Sequence, residues 1–324
     1  MSLLHRQVYT VGVDITDKRG RMLTRALVLK IASLPPVRHL ITRGRPFRKL
    51  VDRFVAGETL QDAIRVAQQL QSRGMKVSID YLGESVRDRQ MAESVVVEYL
   101  QVLPALAQAG LDTQVSVKLT QLGLDIETDF CRNNLERIVR CAQEAGGFVR
   151  IDMESSDYTQ RTLDIFYTLH DRYPNLGIVI QAYLYRSEED IERLIGCKAS
   201  VRLCKGAYAE PASIAYPKRV QVNAAYRRLM QKLLLYGNAP ALATHDESII
   251  RDAIAFAQNN NISPQRFEFE MLYGIRRDLQ EKLVAQGYQM RVYVPYGEAW
   301  YPYFTRRLAE RPANLLFFLR HVLR

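Results

Sequence analysis

A repeating rhythm constrains this 324-residue chain more than any single motif. Short apolar or alternating runs occur at Lys76–Tyr81, Gln114–Leu119, Phe148–Met153, Gly177–Tyr183, Ser200–Cys204, Ala241–His245, Phe267–Leu272 and Met290–Pro295. Each precedes a longer amphipathic segment, at about 87–109, 128–145, 158–173, 187–195, 219–236, 247–260, 277–286 and 300–323. Eight strands alternating with eight helices over roughly 250 residues predict an α/β fold, a (β/α)8 TIM-type barrel. The rival is a doubly wound open sheet, but its usual nucleotide-site signals are missing. No G-x-G-x-x-G follows a predicted strand and no Walker A motif occurs. Ahead of the rhythm, helical periodicity runs from Arg21 to about Arg73, cut by Pro35–Pro36 and Pro46. The expected organisation is an N-terminal helical cap over residues 1–75 and a barrel over residues 76–324.

Charge and cysteine usage narrow the function classes. A net charge of +10 invites a nucleic-acid or anionic-membrane reading. The bases, however, fall in short clusters at Arg43–Arg48, Arg227–Arg228 and Arg276–Arg277, each inside globular sequence. With no basic tail and no recognisable nucleic-acid module, no nucleic-acid partner is expected, while contact with an acidic membrane surface stays open. No apolar run reaches transmembrane length, and Met1–Gly20 has no signal-peptide core. A cytoplasmic protein without a transmembrane or covalent anchor is expected. Cys131, Cys141, Cys197 and Cys204 form no CxxC, and the histidines form no HxxxH, so no metal site is expected.

Barrel chemistry sits at the C-terminal ends of the strands. Lys118, Asp152, Gln181, Arg202, Lys205 and His245 all fall within or just after apolar runs, where charges are rarely buried without a partner. Each alone is as compatible with a structural role, and His245 reads equally as a satisfied core histidine. Cys204 reads as a small core hydrophobe. The six together point to a polar site. After the last strand, Arg291–Arg311 reads as strand, loop and helix. Tyr303, Arg306, Arg307 and Glu310 share one helical face there. An arginine pair in the first turns of a helix suits a small carboxylate, because the guanidinium fork matches it and the helix N-terminus adds positive potential. The bland alternative is a solvated pair on a surface helix. The set is rich in cations (Lys118, Arg202, Lys205, Arg306, Arg307) with few acids (Asp152, Glu310), which suits an anionic substrate and an anionic cofactor. Tyr208, Leu272, Tyr293 and Tyr303 offer walls for a small apolar ring. These residues lead to a barrel that binds a carboxylate and a cofactor, without identifying the cofactor.

Two segments are the most specific: Arg202-Leu203-Cys204-Lys205-Gly206-Ala207-Tyr208 and Tyr303-Phe304-Thr305-Arg306-Arg307-Leu308-Ala309-Glu310. With Val115–Leu119, Ile151–Ser155, Val179–Tyr183, Ala243–Asp246, Phe267–Gly274 and Arg291–Asn314, they span strand two to the last helix. In these segments the chain resembles the proline dehydrogenases, flavin-dependent barrels, in their short monofunctional bacterial form. The first seventy residues match only loosely. From the length, the monofunctional form without an aldehyde dehydrogenase domain is expected.

The resemblance implies non-covalent FAD and oxidation of L-proline to 1-pyrroline-5-carboxylate, the first step of proline catabolism to glutamate. It also implies a quinone electron acceptor reached by peripheral contact with the inner membrane face. By the same resemblance, Arg306 and Arg307 would pair with the substrate carboxylate, with Lys118 approaching it and Asp152 pairing with Lys118. Asp152 and Arg202 would be catalytic, Arg202 lying at the flavin edge. Met153, Gln181, Lys205, Gly206, Ala207, Tyr208, Thr244 and His245 would contact FAD, and Glu310 would hold an arginine or the ribityl chain. Tyr208, Leu272, Tyr293 and Tyr303 would shape the proline pocket. The alternatives are a related barrel oxidising hydroxyproline, a flavin-free Schiff-base lyase using Lys118 or Lys205, and a non-enzymatic nucleic-acid-binding barrel.

Overall fold

The computed structural model describes residues 51–309, with side chains to residue 305. Asp52–Trp300 form one compact unit, and Tyr301 onward belongs to another. The first unit is a closed barrel of eight parallel strands in chain order. They are β1 (Lys76–Tyr81), β2 (Gln114–Val117), β3 (Phe148–Ile151), β4 (Leu176–Gln181), β5 (Ser200–Cys204), β6 (Ala241–Ala243), β7 (Glu268–Leu272) and β8 (Gln289–Tyr296). Closure runs from Lys76 opposite Arg291 to Tyr81 opposite Tyr296. Helices α2 (Arg89–Gln108), α3 (Thr128–Glu144), α4 (Ser156–His170), α5 (Ser187–Gly196), α6 (Arg219–Tyr236), α7 (Glu247–Asn259) and α8 (Arg277–Ala285) follow the first seven strands. The last described helix, α9, is Trp300–Ala309. The expected (β/α)8 fold is the observed one.

Side chains alternate across each strand. One set, including Val77, Ile79, Val115, Val117, Val149, Ile151, Ile178, Ile180, Val201, Leu203, Phe269, Met271, Val292 and Val294, is buried in the main apolar core. The other set holds Ser78, Asp80, Ser116, Arg150, Arg202, Glu268, Glu270 and Arg291, all buried. Arg202 on β5 donates to Ser116 Oγ on β2 at 3.0 Å and to Ser78 Oγ on β1 at 3.4 Å. Strands so far apart in barrel order meet only through the lumen. Interiors of this fold are usually layered with branched aliphatic residues, whereas this one carries ion pairs.

Four strands stop two residues short of the expected ends, at Val117, Ile151, Gln181 and Ala243. The apolar pattern runs past the point where ladder hydrogen bonding ends. Lys118, Asp152, Met153, Thr244 and His245 therefore stand just beyond the strands, on the rim.

Of the expected cap, residues 1–50 lie outside the described residues. Its last piece is helix α1, Leu60–Gln71. Thr59 caps it reciprocally with Asp62: Asp62 N donates to Thr59 Oγ1 and Thr59 N to Asp62 Oδ2, each at 3.2 Å. Ala63, Val66, Ala67 and Leu70 are buried in the main core, and the helix lies against β1 and β8.

Candidate active site

The C-terminal mouth of the barrel gathers Lys118, Asp152, Arg202 and Tyr293 into one hydrogen-bonded cluster. Lys118 Nζ donates to Asp80 Oδ1 at 2.8 Å, to Asp152 Oδ2 at 3.2 Å and to Tyr293 Oη at 3.2 Å. An ammonium has three N–H groups, so these acceptors use all of them. Tyr293 Oη in turn donates to Asp152 Oδ2 at 2.7 Å. Arg202 donates from Nη1 to Asp152 Oδ1 at 2.9 Å and from Nε to Glu270 Oε2 at 2.5 Å. Its guanidinium also lies 5.4 Å from the Tyr293 ring centroid. Asp152 thus bridges the two cations, one oxygen to each.

Electrostatics keep both cations charged. Burial works against Lys118, but Asp80, Tyr293 and Asp152 outweigh it and hold its pKa well above the ordinary lysine value. Burial works against Arg202 as well, and Glu270 and Asp152 raise its pKa in spite of it. Burial, reinforced by Asp152 and Asp80, pushes the Tyr293 phenol far up. Its proton therefore stays in place at neutral pH and is the one donated to Asp152.

The expectation of many cations and few acids is corrected here. Among the described residues, Lys118 meets Asp80 and Asp152, Arg202 meets Asp152 and Glu270, and Lys205 meets Asp246 at 2.8 Å. Asp80, Glu270, Ser78 and Ser116 were missed by sequence reasoning that looked only at strand ends. Strand alternation was the available signal. In Lys76-Val77-Ser78-Ile79-Asp80 and in Glu268-Phe269-Glu270, polar residues recur with period two.

The other expected residues spread around this rim. Gln181 is buried and donates to the Glu154 carbonyl at 2.8 Å. Met153, next to Glu154 in sequence, is buried in the main core. After β5 the chain runs through Lys205 and Gly206 to exposed Ala207 and Tyr208. Gly206 has φ +104°, and a Cβ there would sit 2.2 Å from the Tyr183 ring, so only glycine fits this bend. Thr244 Oγ1 accepts from Asp246 N at 3.1 Å. His245 Nε2 accepts the Leu272 backbone N–H at 3.0 Å, which leaves the ring proton on Nδ1. Tyr303 lies on α9, in the unit that includes Tyr301–Arg324. Arg306 and Arg307 are helical positions on α9 whose side chains lie outside the described residues, as does Glu310 altogether.

The donor set suits a large, flat, anionic cofactor. Arg202 supplies a fixed cation at the mouth, Lys205 a second one on the rim, and Tyr208, 38% exposed, an open aromatic wall. Among the described residues no group of three metal-ligating side chains occurs, and no helix is long and apolar enough to cross a membrane.

Comparison with known proteins places this geometry. Residues 63–320 match the family model described as proline dehydrogenase. Proline dehydrogenase 2 of Bacillus subtilis (strain 168) is 41% identical over 270 residues, covering 83% of this chain and 89% of the relative. The proline dehydrogenase of Deinococcus radiodurans is 40% identical over 307 residues, covering 93% and 98%. Among solved structures, proline utilization A from Bdellovibrio bacteriovorus, inactivated by N-propargylglycine, superposes with a TM-score of 0.78 at 25% identity. That match covers 90% of this chain but spans only 37% of the larger protein. With a family model over most of its length and relatives matched nearly end to end, the chain belongs to the proline dehydrogenase family.

Proposed function

We propose that this protein oxidises L-proline to 1-pyrroline-5-carboxylate with non-covalently bound FAD as hydride acceptor. A quinone met at a membrane surface would then regenerate the flavin. The observation that carries the reading is the Asp152-bridged cluster at the C-terminal mouth, where Lys118, Arg202 and Tyr293 converge inside a family whose named members are proline dehydrogenases. FAD supplies the two-electron acceptor when bound. The residues expected to hold it are Met153, Gln181, Arg202, Lys205, Gly206, Ala207, Tyr208, Thr244 and His245, with Glu310 contributing from the last helix.

Arg202 acts as a preorganised cation, fixed by Asp152 and Glu270 before any ligand arrives, and favours negative charge developing at its edge. Arg306 and Arg307 bind the proline carboxylate. Tyr208, Leu272, Tyr293 and Tyr303 bound the ring. Lys118 has no spare N–H, so its approach to the substrate carboxylate exchanges one of its three present contacts. Asp152 orients Lys118, Arg202 and Tyr293 together. The amine proton of proline leaves to water or to a carboxylate of this cluster.

The Schiff-base alternative through Lys118 is disfavoured by the same geometry. A lysine clamped by two carboxylates is held protonated, and only the neutral amine attacks a carbonyl. Peripheral membrane contact is the natural complement of a net charge of +10 and a lipid-soluble oxidant.

The test is the visible spectrum of the purified protein before and after anaerobic addition of L-proline. Flavin bands that bleach with proline are expected. A protein that takes up no flavin, or whose flavin proline leaves oxidised, would overturn the assignment. Arg306→Ala and Arg307→Ala should raise KM for proline by the equivalent of about 2–5 kcal/mol.

A further inference from the structure

The N-terminal mouth of the barrel, at the far end of the strands from Lys118 and Asp152, holds a cavity of about 370 Å³. Four cations line it, Lys76, Arg150, Arg266 and Arg291, against two carboxylates, Asp112 and Glu268. One arginine takes both carboxylates: Arg291 Nε donates to Glu268 Oε1 at 2.8 Å, and its Nη1 bonds Asp112. The other three cations have no carboxylate partner among the described residues. Lys76 donates to Gln289 Oε1 at 2.7 Å, and Arg266 reaches the Gly237 carbonyl at 3.5 Å.

Arg150 is the anomaly. It is only 2% exposed, yet its partners are the Ser200 carbonyl at 2.7 Å and the Ser200 hydroxyl at 3.2 Å, and its Nε makes no hydrogen bond. Gln114, 4% exposed on the same cavity, has an Nε2 that also lacks an acceptor. The other two lumen arginines, Arg202 and Arg291, each hold two carboxylates. Burial, followed by the charge of Arg202, pulls the Arg150 pKa down to about 9. The chain nevertheless makes room for this guanidinium. A Cβ on Gly177 would lie 2.5 Å from Arg150 Nη1, and the Phe148 ring centroid lies 4.9 Å from Arg150 Cζ. Glu270 and Glu268 act on Arg150 only through space, so a buried cation with a space kept for it, orphaned donors and an adjoining cavity of net positive lining lacks a counter-charge in direct contact.

We propose that the N-terminal mouth is a binding site for a small dianionic oxyanion of the phosphate class, held by Arg150, Lys76 and Arg266 with the Gln114 amide as a neutral donor. The arginine fork matches two oxygens of such an anion. Catalysis in this fold occupies the opposite mouth, so the bound anion acts on stability, raising the melting temperature by mass action on the folded state. This inference stands on the lower cavity alone and does not depend on the flavin or on proline.

The protein as purified, cofactor included, would be titrated calorimetrically with inorganic phosphate, and melted in phosphate and in chloride at matched ionic strength. One saturable site per chain is expected, with a rise in melting temperature that chloride does not reproduce. Arg150→Gln and Lys76→Gln should each weaken binding by about tenfold or more, because each removes a direct charge contact. Lys76→Gln and Arg266→Gln should leave proline turnover unchanged. If Arg150→Gln does not fold, these two rim variants decide the matter. Absence of saturable phosphate binding would overturn the proposal. So would affinity unchanged in the rim variants, or phosphate competing with L-proline, which would put the anion at the other mouth.

Discussion

Arg202 shows what a single position can and cannot reveal. Its place within an apolar predicted strand marks it as unusual, but its partners Glu270 and Asp152 lie 68 and 50 residues away in the chain. Glu270 is 2% exposed, and one of its oxygens serves Arg202 while the other has no partner. Glu270→Gln should therefore lose about 3–5 kcal/mol of stability, the usual cost of removing one member of a buried ion pair. Urea denaturation measures it, and a loss below about 1 kcal/mol would mean that Asp152 alone satisfies the arginine. Cys204 illustrates the opposite case. Burial pushes its thiol up to about 12, so almost no thiolate exists near neutrality. Its alkylation by iodoacetamide at pH 8 should be about three orders of magnitude slower than that of a free thiol. Peptide mass spectrometry reads the rate, and modification of Cys204 at the free-thiol rate would refute its role as a small apolar filler.

Elements couple to the site through their ends. Asp246 is the N-cap of α7, accepting from Ser248 N at 3.1 Å, and it also holds Lys205 on the rim at 2.8 Å. Asp246→Ala should cost about 1 kcal/mol for the lost cap, in addition to the ion pair, whereas Asp246→Asn keeps the cap. Both release Lys205, so equal loss of cofactor retention in the two variants, with unequal melting temperatures, would separate the roles. Burial acts against the Asp246 charge, and hydrogen bonds from Lys205 and Ser248 outweigh it, holding the carboxyl well below its ordinary range. A folded value below the unfolded one stabilises the protein above the unfolded pKa, and that contribution is lost as pH falls through the folded value. The stability gap between wild type and Asp246→Asn should hold steady near neutrality and shrink below about pH 4. A gap that persists in strong acid would contradict this. The elements themselves were largely legible in the sequence, because apolar periodicity is local. Strand ends were overrun by two residues at β2, β3, β4 and β6, because an apolar side chain beyond the ladder is buried just as one within it is.

At the scale of the molecule, Asp52–Trp300 contains all eight strands and the whole main core cluster. A chain of residues 52–300 should melt in one cooperative transition with near-ultraviolet circular dichroism intact. A gradual melt without that signal would show that this unit does not fold alone. On the proposed function, the fragment would hold flavin more weakly, without Glu310, and lose reduction by proline at concentrations that saturate the full chain, because Tyr303, Arg306 and Arg307 lie outside it. Helix α1 makes a related point. Its amphipathic pattern was evident, and its buried face lies against β1 and β8. Nothing in a local pattern says which apolar face a helix will cover.

The sequence by itself determined the barrel, through the order and period of its strands and helices, and marked the rim through the polar residues that interrupt apolar runs. It also carried the family, through two contiguous motifs. Which charges meet was decided only by closure. Ser78 lies 124 residues from Arg202, and Tyr293 lies 141 from Asp152. They become neighbours because inward-facing residues of different strands share one narrow lumen. That same geometry sets Arg202 and Arg291 between carboxylates and leaves Arg150 without one, a difference that period and composition do not encode.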